Sequence, residues 1–247
     1  MKYFAKIRFL GTGFSGFQVQ PDKRTVQGEL TNAFSEYFSG AVKITGCSRT
    51  DSGVHANEFC ITVEAEGAST PADKLPLALA KHLPSDISLI YAKEAPCDFH
   101  PRYDCVGKEY LYRIYNARVN SPFEVDRAFF LPRIISKEGI AKMRDAARYF
   151  LGEHDFASFM ASGSDVESTV RRIEYLNIEK NGDVIEIRVF ANGFLYNMVR
   201  IIVGTLVEVG LGRFSVNEVE EIILAKDRSR AGMTAPASGL YLNRVDY

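Results

Sequence analysis

The sequence predicts an α+β protein made of two similar ferredoxin-like, RRM-like halves, and three observations carry that expectation. Residues 3–92 run strand, helix, strand, strand, helix, strand, the split βαβ order. The same grammar recurs with insertions after residue 105. No low-complexity linker separates the two stretches, so the boundary falls near residues 95–107 and the halves are 1–105 and 106–247.

Each element has its own warrant. Residues 3–10 set Tyr3, Ala5, Ile7 and Phe9 on one side and Lys2, Lys6 and Arg8 mostly on the other, the period of a strand. After a glycine-rich turn, Thr25 caps a helix reaching about residue 38, with Leu30, Phe34 and Phe38 on one face. Residues 42–47 and 57–64 are strands separated by a polar turn. Pro71 opens a second helix that ends near Leu83-Pro84, and residues 86–92 return as a strand. In the second half, residues 105–116 are a strand and 136–151 a helix. Residues 169–179 and 184–191 form a strand pair turning at Asn181-Gly182. Helices at 197–209 and 216–226 precede a closing strand at 240–245.

Composition narrows the function classes. Apolar residues make up 46% and charged residues 25%, a soluble globular balance. The four cysteines match neither a zinc spacing nor a secreted disulfide framework, so reduced thiols and no metal are expected. Lys2, Lys6 and Arg8 interrupt the start of the chain, and the longest apolar run, 201–207, is far too short to span a bilayer. A cytoplasmic protein is the expectation. Net charge is −1, yet residues 1–55 hold seven Lys/Arg against four Asp/Glu and residues 98–150 ten against seven. A modest basic surface forms if those stretches share a face; a mixed solvated surface fits the charge equally well.

Four segments bear chemistry. Residues 11–16 read GTGFSG, which matches GxGxxG after a strand, but the following helix starts only at Thr25. A dinucleotide site needs that helix N-terminus at the glycines, so nucleotide binding is disfavoured and a flexible turn near a ligand's backbone is expected. Residues 46–56, GCSRTDSGVHA, bring Arg49, Asp51 and His55 into one polar turn. A loop aspartate is often a turn former and His55 a structural residue, but the cation two positions upstream and the small neighbours suit an approaching substrate. Lys108, Tyr110 and Tyr112 share one strand face, as a platform for a flat base or as a Tyr-rich core strand. Residues 194–204 form a helix apolar nearly all round, in which Arg200 needs an anionic partner, Asp51 being one candidate, or else snorkels to solvent.

Together with residues 11–20 (GTGFSGFQVQ), 25–27 (TVQ), 49–56 (RTDSGVHA), 83–87 (LPSDI), 99–102 (FHPR), 108–112 (KEYLY), 152–159 (GEHDFASF) and 235–242 (APASGLYL), this chain resembles the TruA-type tRNA pseudouridine synthases from end to end. The resemblance implies a pseudouridine synthase fold, with a mixed, mainly antiparallel sheet and a central active-site cleft. It also implies a homodimer that modifies uridines in the tRNA anticodon arm without cofactor or metal. Asp51 is then the essential catalytic residue, Tyr110 contacts the target base, and Arg49 and Arg200 are active-site cations. His55 and Leu240 are further substrate contacts on the same grounds. A non-catalytic RNA-binding or tRNA chaperone module of the same fold is the alternative. The family usually reads GRTDAGVHA, whereas this chain carries Ser48 and Ser52. Were positive φ required at position 48, serine would cost on the order of 1 kcal/mol. Phosphate contacts are expected from Lys2, Arg8, Lys23, Arg24, Arg113 and Arg118, each of which also suits a solvated surface.

Overall fold

In the computed structural model, which describes residues 1–163 and 166–247, the chain forms two compact units: Met1–Val106 with Tyr241–Tyr247, and Gly107–Leu240. The first unit is built around β1 (Lys2–Phe9) and β3 (His55–Ala65), which pair antiparallel through most of their length. β1 also pairs antiparallel with β4 (Ile87–Glu94), and β3 with β2 (Val42–Gly46). That order is the split βαβ arrangement expected from the sequence. α1 (Val26–Phe38) buries Val26, Leu30, Ala33 and Phe34, and its N-cap Thr25 accepts a hydrogen bond from Gly28 N–H at 3.2 Å. α2 is only Leu75–Leu79, led in by a single 3₁₀ turn at Ala72–Lys74. It is much shorter than the expected helix: Pro76, with no N–H to give back to Ala72, keeps the stretch before it from joining the α-helix, which closes at Ala80.

The closing strand β10 (Leu240–Asp246) carries a finding the sequence order hid. It pairs parallel with β3, Tyr241 opposite His55 and Leu242 opposite Ala56. β2 occupies the same side of β3 further along, from Ile61 to Ala65. Read from sequence as the end of the second half, residues 241–247 belong with the first unit.

In the second unit, β5 (Gly107–Tyr115) pairs antiparallel with β9 (Val184–Ala191), and β9 with β8 (Val170–Asn181). Two short strands escaped the sequence pattern. β6 (Phe129–Phe130) pairs parallel with β5, and β7 (Gly152–Asp155) antiparallel with β8. α3 (Lys137–Ala147) is capped by Ser136, whose hydroxyl accepts from Gly139 N–H. α4 (Met198–Gly210) buries ten of its residues, as its all-round apolar sequence requires, and α5 (Glu218–Ala225) packs with Val219, Ile222 and Ile223 inward. The sheets are mixed and mainly antiparallel, as expected. Among the described residues no helix is long and apolar enough to cross a membrane.

Candidate active site

The RTD motif sits on the loop between β2 and β3. Cys47 N–H donates to the Cys60 carbonyl at 2.9 Å, and Val54 N–H to the Asp51 carbonyl at 3.2 Å, with Gly53 at φ +79 closing the turn. Asp51 is half-buried, Arg49 is exposed, and Thr50 between them points inward. Ser48 and Ser52 are absent from the positive-φ residues, so the strain a positive φ would impose on serine at position 48 does not arise. Ser52 adds a bond that alanine lacks: its hydroxyl donates to the Phe14 carbonyl at 3.1 Å.

The glycine-rich segment packs directly against this loop. Phe17 N–H donates to the Thr50 carbonyl at 3.1 Å. A Cβ on Gly11 would stand 2.0 Å from the Val54 carbonyl oxygen, and one on Gly16, at φ +88, 2.6 Å from that of Thr50. Only glycine permits such an approach. The expectation of a flexible turn near a ligand is therefore corrected: these glycines let one backbone bed against another, and the bedded loop carries Asp51. Residues 11–13 make a 3₁₀ turn and the next helix starts at Val26, so the fingerprint for a dinucleotide fails structurally too.

His55 completes the support. Its Nδ1 accepts from Gly11 N–H at 2.9 Å, which leaves the ring proton on Nε2, and the ring stacks on Tyr241 at 4.6 Å. The residue has 0% exposure. It was expected to touch substrate; with no open surface it acts instead by position, tying the glycine turn to β3 and β10.

In the second unit Tyr110 lies on β5 opposite Val189, 8% exposed, its ring edge-on to Phe194 at 5.0 Å. Tyr112, on the same face, is wholly buried and donates its hydroxyl to the Pro236 carbonyl at 2.7 Å; burial pushes that phenol far above its usual range. The pair of tyrosines is thus no stacking platform. Both are buried, Tyr112 completely and Tyr110 all but its last 8%. Lys108 is half-buried.

Arg200 projects from the first turn of α4, half-buried rather than enclosed. Its Nε donates to the Ala235 carbonyl at 2.7 Å and its Nη1 to Asn197 Oδ1 at 2.6 Å. Asn197 holds φ +59, a left-handed conformation that asparagine tolerates better than most residues. Sequence reading missed Asn197; its place three residues before Arg200, where a helix opens, was the available signal. Leu240 is 7% exposed and follows a 3₁₀ turn at Ala237–Gly239.

The expected phosphate-binding cations divide. Arg24 forms ion pairs with Asp86 at 2.8 Å and Glu29 at 2.7 Å, Arg113 pairs with Glu124 and Glu186, and Lys2 donates to the Cys97 carbonyl. Those three hold the fold together. Arg8, Lys23 and Arg118 stay exposed.

Sheet order, the RTD loop and its glycine bed define a class, and comparison agrees with it. The chain belongs to the tRNA pseudouridine synthase family, whose pattern matches residues 5–104 and 146–247. It is 42% identical over 245 residues to the tRNA pseudouridine synthase A 2 of Clostridium tetani, covering 98% of this chain and 97% of that one. A tRNA pseudouridine synthase A of Listeria innocua is 43% identical over 249 residues, covering 100% and 99%. One from Thermoanaerobacter sp. is 43% identical over 241 residues, covering 98% and 97%.

Proposed function

We propose that this protein isomerises uridine to pseudouridine in the anticodon arm of tRNA, with Asp51 as the essential carboxylate. Membership of the family supports the reaction. The observation that supports Asp51 is its setting: a half-buried carboxylate two residues from an exposed guanidinium, on a loop bedded on backbone.

The reaction breaks the bond between the sugar C1′ and uracil N1 and forms one between C1′ and C5. The hydrogen on C5 leaves as a proton to water and N1 takes one up, so the product is an isomer and nothing is oxidised. A carboxylate meets this chemistry as a nucleophile toward sugar or base, or as the base that removes a sugar proton. A stacked uridine must first be extruded, at a cost of a few kcal/mol. Arg49 and Arg200 supply positive charge, Tyr110 covers a face of the uracil, and Leu240 lends an apolar edge. The protein acts as a homodimer in the cytoplasm, with no cofactor or metal.

The test uses tRNA transcript tritiated at uridine C5. Wild-type protein releases label to water, while Asp51→Asn releases none yet still folds and binds tRNA. Label release by Asp51→Asn overturns the assignment of the carboxylate. No release by the wild type, with tRNA bound, supports the non-catalytic RNA-binding alternative.

A further inference from the structure

Beside the RTD loop, within the first unit, lies an open pocket of about 250 Å³. Arg49, Arg102, Tyr103, His100, Gln18 and Ser48 line it, with the buried Phe17 and Ile44 also in its wall. No carboxylate is among the lining residues. Neither Arg49 nor Arg102 meets an acidic partner among the described residues, unlike Arg24 and Arg113, which each meet two. Two exposed guanidiniums facing one acid-free hollow call for an anion.

The aromatic wall of the pocket is held in place. Arg102 and Tyr103 N–H donate to His100 Nδ1 at 3.1 and 3.3 Å, and the His100 N–H to Asp104 Oδ2 at 2.8 Å. Asp104 N–H returns to the His100 carbonyl at 3.0 Å. The turn is anchored from behind by Phe99, whose ring packs on Phe4 at 5.5 Å and Tyr247 at 5.2 Å. The His100 ring stacks on Tyr103 at 4.2 Å and keeps its proton on Nε2, a donor. Tyr103 is nevertheless 76% exposed, a large ring offered to solvent on a rigid turn. A flat ring beside two phosphate-matching forks suits one nucleotide: phosphate on the arginines, base on the tyrosine. A volume below the roughly 300–1,000 Å³ of drug-sized ligand pockets fits a single such unit.

We infer that this pocket seats an unstacked RNA nucleotide next to the target uridine, with its phosphate between Arg49 and Arg102 and its base on Tyr103. The inference rests on the proposed tRNA activity, since Arg49 shares a loop with Asp51 two residues on. Holding the neighbour outside the stack offsets part of the extrusion cost of the target base.

Binding is the readout, so the pocket is tested apart from turnover. In an Asp51→Asn background, tRNA affinity is measured over a range of salt for Arg102→Gln and Tyr103→Ala, with folding checked by thermal melts. Arg102→Gln weakens binding and lowers the salt slope by about one, the mark of a lost phosphate contact. Tyr103→Ala weakens binding about tenfold and leaves the slope unchanged, the mark of lost stacking. Anticodon-arm RNAs with an abasic nucleotide on either side of the target complete a cycle: on one of them the Tyr103→Ala penalty vanishes. Unchanged affinity and slope in both variants overturns the inference, and so does an equal Tyr103→Ala penalty on intact and on both abasic RNAs. The wild-type label-release assay reports separately on the activity itself.

Discussion

The two units hold their candidate functional residues by opposite means. In the first, Asp51 sits on an irregular loop, and what fixes it is backbone lying on backbone: Gly11 under Val54, Gly16 under Thr50, Phe17 N–H on the Thr50 carbonyl. In the second, Arg200 rides on a regular helix, and what fixes it is side-chain bonding to Asn197 and the Ala235 carbonyl. The helix caps repeat the contrast. Thr25 spends its hydroxyl on the helix N–H of Gly28, whereas Asn197 makes no cap bond and spends its amide oxygen on Arg200. A loop held by sterics tolerates no added atom, while a cation held by polar bonds tolerates small changes with graded loss.

Four substitutions or conditions press on that contrast, in falling order of effect. Gly11→Ala puts a methyl 2.0 Å from a carbonyl oxygen, so the RTD loop must shift. Label release falls at least about a hundredfold, as ångström-scale displacement of a catalytic group costs, and urea unfolding shows a loss of about 2–4 kcal/mol. Wild-type activity and stability in that variant would show the loop is not sterically set. Next, Asn197→Ala removes the Nη1 partner and puts alanine at positive φ. It costs about 1–2 kcal/mol of stability and lowers single-turnover rate about tenfold, whereas Asn197→Gly restores the backbone and not the rate. If Asn197→Gly restores both, the bond to Arg200 does not matter.

The third concerns pH. Burial pushes the Cys60 thiol, whose carbonyl receives Cys47 N–H, up to about 12, from about 8.5 in an unfolded chain. The folded state thus resists losing this proton, and its contribution is fully present below about pH 8.5 and lost as pH rises toward 12. Unfolding free energy should fall by up to about 1.4 kcal/mol per pH unit between pH 9 and 10. Cys60→Ala, though less stable overall, flattens that slope; an unchanged slope assigns the effect elsewhere. Smallest is Thr25→Ala, with a loss of about 1 kcal/mol measured by urea unfolding and little change in label release, because the cap steadies α1 rather than the loop.

Much of this was legible in the sequence because it was local. Alternation in residues 3–10, the Thr25 cap and the apolar all-round run after residue 197 each declare an element within a dozen residues. β6 and β7, two and four residues long, are too short to show a period. The pairing of β10 with β3 joins residues nearly two hundred positions apart, and no local pattern encodes it. The motif containing Asp51 was readable, but the task of Gly11 and Gly16 was not, since it depends on which backbone lies beneath. Likewise period two placed Tyr110 and Tyr112 on one face, and only packing shows that both are buried, Tyr112 completely. His55 reads from its residue type as structural, and its burial agrees; only the resemblance gave it a substrate contact.

The return of β10 to β3 has a consequence for the order of synthesis. Residues 107–240 form one continuous stretch and have all their strands once residue 240 has left the ribosome. The first unit, although made first, still lacks the strand that covers His55 and Ala56, at the edge where the Asp51 loop enters the sheet. A nascent chain therefore carries an unfilled sheet edge beside the Asp51 loop until residues 241–247 emerge. The sheet edge beside the proposed catalytic loop is completed only after the whole of the second unit has been made.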